Sequence, residues 1–127
     1  MAHAKHGVVL IEDDSGMRRA VTRMLTGAGY TVQAFDSAEA LLDALAGAAL
    51  WEGSRCMICD VRLPSVSGFE LHRRIAEQGP MPPWIFITAH DDQMVREQAA
   101  RATAAYLLKP FAGRALLALV ARVAGPP

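Results

Sequence analysis

Cysteine is scarce, with two in 127 residues, and that scarcity argues against a disulfide-stapled fold. The two stand at 56 and 59, a C-x-x-C spacing, but inside an apolar run that reads as a strand. Residues three apart on a strand face opposite sides of the sheet. A redox pair of this spacing is activated at a helix N-terminus, and no helical pattern starts there. Cys56 and Cys59 are therefore expected as small core residues. Long apolar runs are missing as well; none approaches the ~20 residues that cross a bilayer. The opening M-A-H-A-K-H-G has no apolar signal-peptide core, which predicts a cytoplasmic protein with reduced thiols. Excess charge of either sign is also absent. Thirteen basic side chains cancel thirteen acidic ones, leaving no electrostatic reason to bind nucleic acid or an anionic membrane. Lysine occurs only at Lys5 and Lys109; every other basic residue is arginine.

What remains is enough for one domain with its own core, since 52% of the residues are apolar. Short apolar runs at 8–11, 31–35, 56–59, 84–88 and 105–108 alternate with helical patterns at 15–26, 38–46, 68–78, 93–102 and 114–123. This alternation predicts an α/β fold with a parallel sheet and helices on both faces. Runs one, three and four are nearly all apolar, as strands buried on both sides require. Right-handed crossovers then give a doubly wound, flavodoxin-like five-stranded sheet in the order 2-1-3-4-5. The punctuation agrees. Gly27-Ala-Gly29 stops the first helix, Ser67 and Glu70 form a capping box for the third, and Gly79-Pro-Met-Pro-Pro83 ends it. Leu116, Val120 and Val123 make one stripe on the last helix. Residues 1–127 read as a single domain, with Gly125-Pro-Pro127 as the start of a linker.

Ligands of such sheets sit beyond the carboxyl ends of the strands at the switch point, here between strands one and three. The residues that end the apolar runs collect there: Glu12-Asp13-Asp14, Asp60, Thr88 and Lys109. Three close carboxylates repel, each pair by roughly 4 kcal/mol at an effective dielectric near 20. A hard divalent cation with oxygen ligands removes that cost, and Mg²⁺ is the usual choice where it keeps waters and a phosphate. Lysine's point charge suits a single phosphoryl oxygen better than arginine's fork. The lysine that directly follows the run at 105–108, Lys109, is consistent with that use.

The stretches VVLIEDDSGMRR (8–19), MICDVRLPSVSGFEL (57–71), WIFITAH (84–90) and AYLLKPF (105–111) resemble the receiver domains of two-component response regulators. The likeness is greatest to receivers of the nitrogen-fixation-regulator type that precede a helix-turn-helix output domain. The resemblance implies Asp60 as phosphoacceptor and Mg²⁺ held by Asp13, Asp60, the carbonyl of Arg62 and, through water, Glu12. It implies Lys109 and Thr88 on phosphoryl oxygens, a small Ala89 leaving room for them, and a cis bond before Pro110. Thr88 and Tyr106 would form the switch; read as an ordinary strand residue, Tyr106 keeps its hydroxyl at the surface. His90 and Arg62 would flank the pocket and tune phosphate lifetime. His72 reads as a residue of a solvated helix face. The implied partners are a sensor histidine kinase or a histidine phosphotransfer protein, and a second copy upon phosphorylation. Two departures stand out. Glu12 replaces the commoner Asp, and Ala102-Thr103 replaces Gly-Ala before strand five, where a stiffer loop and a longer fourth helix are expected.

Other readings compete. A phosphatase of the haloacid-dehalogenase kind needs a second acid two residues after its aspartyl nucleophile, and Arg62 stands there. A flavodoxin-like cofactor binder needs a phosphate loop after strand one, where Asp13-Asp14-Ser15-Gly16 repels phosphate. A stand-alone phosphorelay carrier remains open. An interaction module controlled through its helix 4, strand 5 and helix 5 face, rather than an enzyme, is the expectation.

Overall fold

A computed structural model of the chain describes residues 7–46 and 54–127. The elements run β1 (Gly7–Ile11), α1 (Ser15–Gly27), β2 (Thr31–Phe35), α2 (Ala38–Leu45) and β3 (Ser54–Asp60). They continue through α3 (Gly68–Ala76), β4 (Trp84–Thr88), α4 (Gln93–Arg101), β5 (Ala105–Leu108) and α5 (Gly113–Ala124). All pairings are parallel and the order is β2-β1-β3-β4-β5, so the expected doubly wound sheet forms.

The strict two-residue period of a strand sorts the core into two layers. Val8, Leu10, Cys56, Ile58, Ile85 and Ile87 face α1 and α5, meeting Val21, Leu25, Leu116 and Val120. Val9, Ile11, Met57, Cys59, Trp84 and Phe86 face the other side, against Leu41, Leu71 and Ile75. Every residue of β1 and β4 is buried, whereas β2 and β5, at the edges, are only partly covered. Cys56 and Cys59 lie in opposite layers, and burial pushes the Cys56 thiol up to about 12 and the Cys59 thiol well above its usual range. Neither is a reactive thiolate.

Several local expectations need correction. Strand β3 begins at Ser54, two residues before the apolar run, because it continues pairing beside β1. Gly27 lies inside α1, and it is Gly29 that takes the positive φ of +108°. Half of the expected capping box forms. The Ser67 hydroxyl accepts from the Glu70 N–H at 3.0 Å, but the Glu70 carboxylate turns to Arg73 and Arg74. The fourth helix does not run long. It ends at Arg101, with Ala102 as its cap, because Thr103 adopts a positive φ of 53°. At the C-terminus, where nothing overturns the expected linker start, Tyr30 donates to the Gly125 carbonyl at 3.0 Å and Arg55 to that of Pro126 at 3.3 Å.

A β-branched residue in the left-handed region costs about 1–2 kcal/mol, and glycine avoids that cost while losing more entropy on folding. Thr103→Gly is expected to stabilise the chain by about 0.5–1 kcal/mol. A urea melt should show a higher midpoint with unchanged slope; a lower midpoint would mean that the Thr103 side chain contributes more than its backbone costs.

Candidate functional site

The end of β1 is shaped by its own backbone. The Asp14 side chain caps α1 by accepting from the Met17 N–H at 2.7 Å, and the Asp14 N–H donates to Glu12 Oε2 at 3.1 Å. Arg18, one turn into α1, donates from Nη1 to the Glu12 carbonyl at 3.0 Å. Glu12 is thereby directed inward and is 2% exposed, whereas Asp13 stays in solvent. Beside it, β3 delivers Asp60, whose Oδ1 accepts from the Arg62 N–H at 3.2 Å. Gly68 lets α3 start directly against this strand end. A Cβ there would lie 2.5 Å from the Asp60 carbonyl oxygen. On the far side, the Lys109 N–H bonds the Thr88 carbonyl at 2.7 Å, and the Lys109–Pro110 peptide is cis. Lys109 Nζ then reaches Asp60 Oδ2 at 3.0 Å and Glu12 Oε1 at 3.2 Å.

The electrostatics follow from that burial. Desolvation pushes the Glu12 carboxyl from 4.5 up to about 7; the Asp60 charge adds to the rise, while the Asp14 N–H and Lys109 oppose it. Burial draws the Lys109 ammonium downward, but its bonds and charge attraction to Asp60 and Glu12 prevail and hold it above its usual value. Oxygen atoms of Glu12, Asp13 and Asp60 lie within 4.8 Å of one another. An all-oxygen set of this kind suits a hard divalent cation, so these three residues fit a metal.

The structure therefore brings Glu12, Asp13, Asp60 and Lys109 together. Arg62 joins them through its backbone. Thr88 ends β4 one residue beyond Ile87, the register partner of Asp60, and the exposed Ala89 follows it. The Thr88 hydroxyl is bonded to the His90 backbone. Tyr106 is not in this cluster: its hydroxyl bonds Asp91 Oδ1 at 3.3 Å on the outer surface. The solvated face expected for His72 is a correction, since its half-buried ring stands edge-on to Trp84 at 4.9 Å and burial lowers its pKa. Sequence reasoning placed Asp14 at the strand end but missed its capping role, and it passed over Arg18 and Asp91. An Asp directly before a helical pattern is a capping signal for Asp14, but nothing local marks the other two.

The 2-1-3-4-5 parallel sheet, with an acidic cluster and a lysine at its switch point, defines the chain as a doubly wound α/β domain with its polar site at the strand ends. The sequence profile of the response regulator receiver domain family matches residues 8–121, and the chain belongs to that family. It is 37% identical over 118 residues to Transcriptional regulatory protein FixJ of Bradyrhizobium diazoefficiens, a match covering 91% of this chain and 55% of that protein. It is 41% identical over 116 residues to Response regulator protein FleR of Pseudomonas aeruginosa, covering 91% and 24% respectively. The solved structure of a response regulator receiver protein from Burkholderia phymatum superposes with a TM-score of 0.82 at 39% identity, covering 95% of this chain and 96% of that one. The chain thus spans about half of FixJ and about a quarter of FleR. Its family is one of signalling domains in two-component systems rather than of conventional enzymes. Among the described residues no helix is long and apolar enough to cross a membrane.

The Glu12 carboxyl yields a pH test. A folded value of about 7 against 4.5 unfolded favours the folded chain below 4.5, and the advantage is lost as pH rises to about 7. Lys109, held above its usual value, stays charged throughout that window. In EDTA the melting temperature is expected to fall between about pH 5 and 7, reflecting at most roughly 3 kcal/mol. Glu12→Gln should flatten the slope; melts that keep the full slope would assign the titration to another group.

Proposed function

We propose that Asp60 is the phosphoacceptor of a two-component signalling pathway, loaded by a sensor histidine kinase or a histidine phosphotransfer protein with Mg²⁺ present. The observation that carries this reading is the position of Lys109 Nζ, 3.0 Å from Asp60 and 3.2 Å from Glu12 at the switch point of the sheet. An Asp60 carboxylate oxygen attacks phosphorus, a P–O bond forms, and the P–N bond to the donor imidazole breaks. The product is an aspartyl phosphate. Such transfer asks the protein mainly for a positioned nucleophile and positive charge at the phosphoryl oxygens. The Arg62 N–H and Lys109 orient the two Asp60 oxygens, and Lys109 supplies a fixed cation for the transferred group.

Glu12, Asp13, Asp60 and the Arg62 carbonyl would hold Mg²⁺, which when bound neutralises the acids and the incoming phosphate. Thr88 and the Ala89 backbone would take further phosphoryl oxygens. Thr88 and Tyr106 are the proposed switch, read out on the α4–β5–α5 face, where Met94 and Leu108 are exposed apolar side chains suited to a second copy. FixJ is named a transcriptional regulatory protein, which supports a transcriptional output reached through segments beyond this domain. Nucleic acid is not a partner of a domain with balanced charge, and the setting is cytoplasmic.

Two outcomes are expected. Mg²⁺ at a hundred times its dissociation constant should stabilise the wild type by about 2.7 kcal/mol, and Asp13→Asn should remove that gain; a melt indifferent to Mg²⁺ would remove the metal from the reading. With Mg²⁺ and acetyl phosphate, one phosphoryl group should add as a hydroxylamine-labile acyl phosphate seen by intact-mass spectrometry. Asp60→Asn should abolish it and Lys109→Ala should slow it. Free phosphate released over many turnovers without label would instead favour a phosphatase.

A further inference from the structure

A threonine hydroxyl has one hydrogen to donate. In this structure Thr88 Oγ1 gives it to the His90 carbonyl at 3.2 Å and accepts from the His90 N–H at 3.0 Å. A phosphoryl oxygen on Asp60 can take that hydrogen only if the His90 carbonyl releases it. Binding there is therefore coupled to the loop that joins β4 to α4. The far end of this loop is tied down by Asp92, whose side chain accepts from the Val95 N–H at 2.9 Å and caps α4. Between the two ends stands Asp91. Its Oδ1 accepts from Arg96 Nη1 at 2.8 Å and from the Tyr106 hydroxyl at 3.3 Å, so one oxygen joins the loop to α4 and to β5. A cavity of about 240 Å³ separates the loop from the segment after β3. Its lining includes Arg62, Phe69, Thr88, His90, Met94 and Val95.

We propose that Asp91, with Arg96 and Tyr106, is a latch that opposes occupancy of the phosphoryl site. It rests on the assignment of Asp60 and Thr88 made above. The latch keeps the loop and the Tyr106 hydroxyl in the arrangement that commits Thr88 to His90. Phosphoryl binding draws Thr88 away, loosens residues 89–91 and frees Tyr106. By linkage, releasing the latch strengthens phosphoryl binding by the factor that phosphoryl binding weakens the latch. The Arg96 and Asp91 side chains are 49% and 44% exposed. An ion pair so exposed contributes modestly, which corresponds to an effect of about two- to fivefold.

The test uses beryllofluoride, a phosphoryl mimic, titrated by calorimetry into the full chain with Mg²⁺ at low salt. Asp91→Ala and Arg96→Ala should each tighten binding about two- to fivefold, and together no more than the stronger of the two, because both break one clamp. Tyr106→Phe should do the same through its lost hydroxyl. At about 0.5 M salt the differences from wild type for the two charge variants should shrink, since screening weakens an exposed pair. Melts without the mimic establish that each variant is folded. Wild type binding the mimic while Asp91→Ala and Arg96→Ala match it, or bind more weakly, would overturn the latch alone. Wild type failing to bind would overturn the phosphoacceptor assignment and the latch with it.

Discussion

One ammonium group balances the centre of this protein. Lys109 Nζ sits between two nearly buried carboxylates from different strands, and without it the ends of β1 and β3 would carry unpaired charge at their closest approach. Removing one partner of a buried pair leaves the other uncompensated, which is far more costly than the pair itself is stabilising. The arrangement also stays unsettled. Burial still pushes Glu12 up to about 7, so the acids retain a demand for positive charge that a lysine alone does not meet. A site with that unmet demand is suited to a second cation and to an anion brought in with it.

The fold exists around this balance in a direct sense. A sheet covered on both faces exposes its interior only at strand ends, and reversal of winding between β1 and β3 opens the gap into which those ends project. Gly68 allows α3 to begin against the Asp60 carbonyl, and Asp14 starts α1 immediately beyond the acids. The same strand ends connect to the surface. Thr88 leads within three residues to Asp91, and Asp91 to both α4 and β5, so an event at the acids has a short covalent and hydrogen-bonded route to the outer face. The proposed latch lies on this route, and the single Thr88 hydrogen is its clearest case of mutually exclusive partners.

Much of this was legible in the residues. Short apolar runs separated by helical patterns imply the parallel sheet, and the polar residues that end runs one, three, four and five mark the site, because strand ends are the only exit from a doubly covered sheet. Cys56 and Cys59 could be placed on opposite faces by counting three along a strand. Boundaries were less legible. Nothing in Ala102-Thr103 declares that a threonine will take a left-handed turn; the chain enforces it because β5 must return beside β4. The His72 ring is likewise drawn in by Trp84 and Phe86, which lie on a different element.

By itself, then, the sequence determined the fold class, the strand order and the acids and lysine that meet, since these follow from periodicity, handedness and charge. Tertiary structure alone decided how they share their bonds. Lys109 bridges two acids, Arg18 holds a backbone carbonyl and Asp91 joins Arg96 to Tyr106 because packing fixes distances of about 3 Å between side chains from separate segments. Hydrogen bonding depends on that distance and on direction, and neither is encoded in the spacing of residues along a chain.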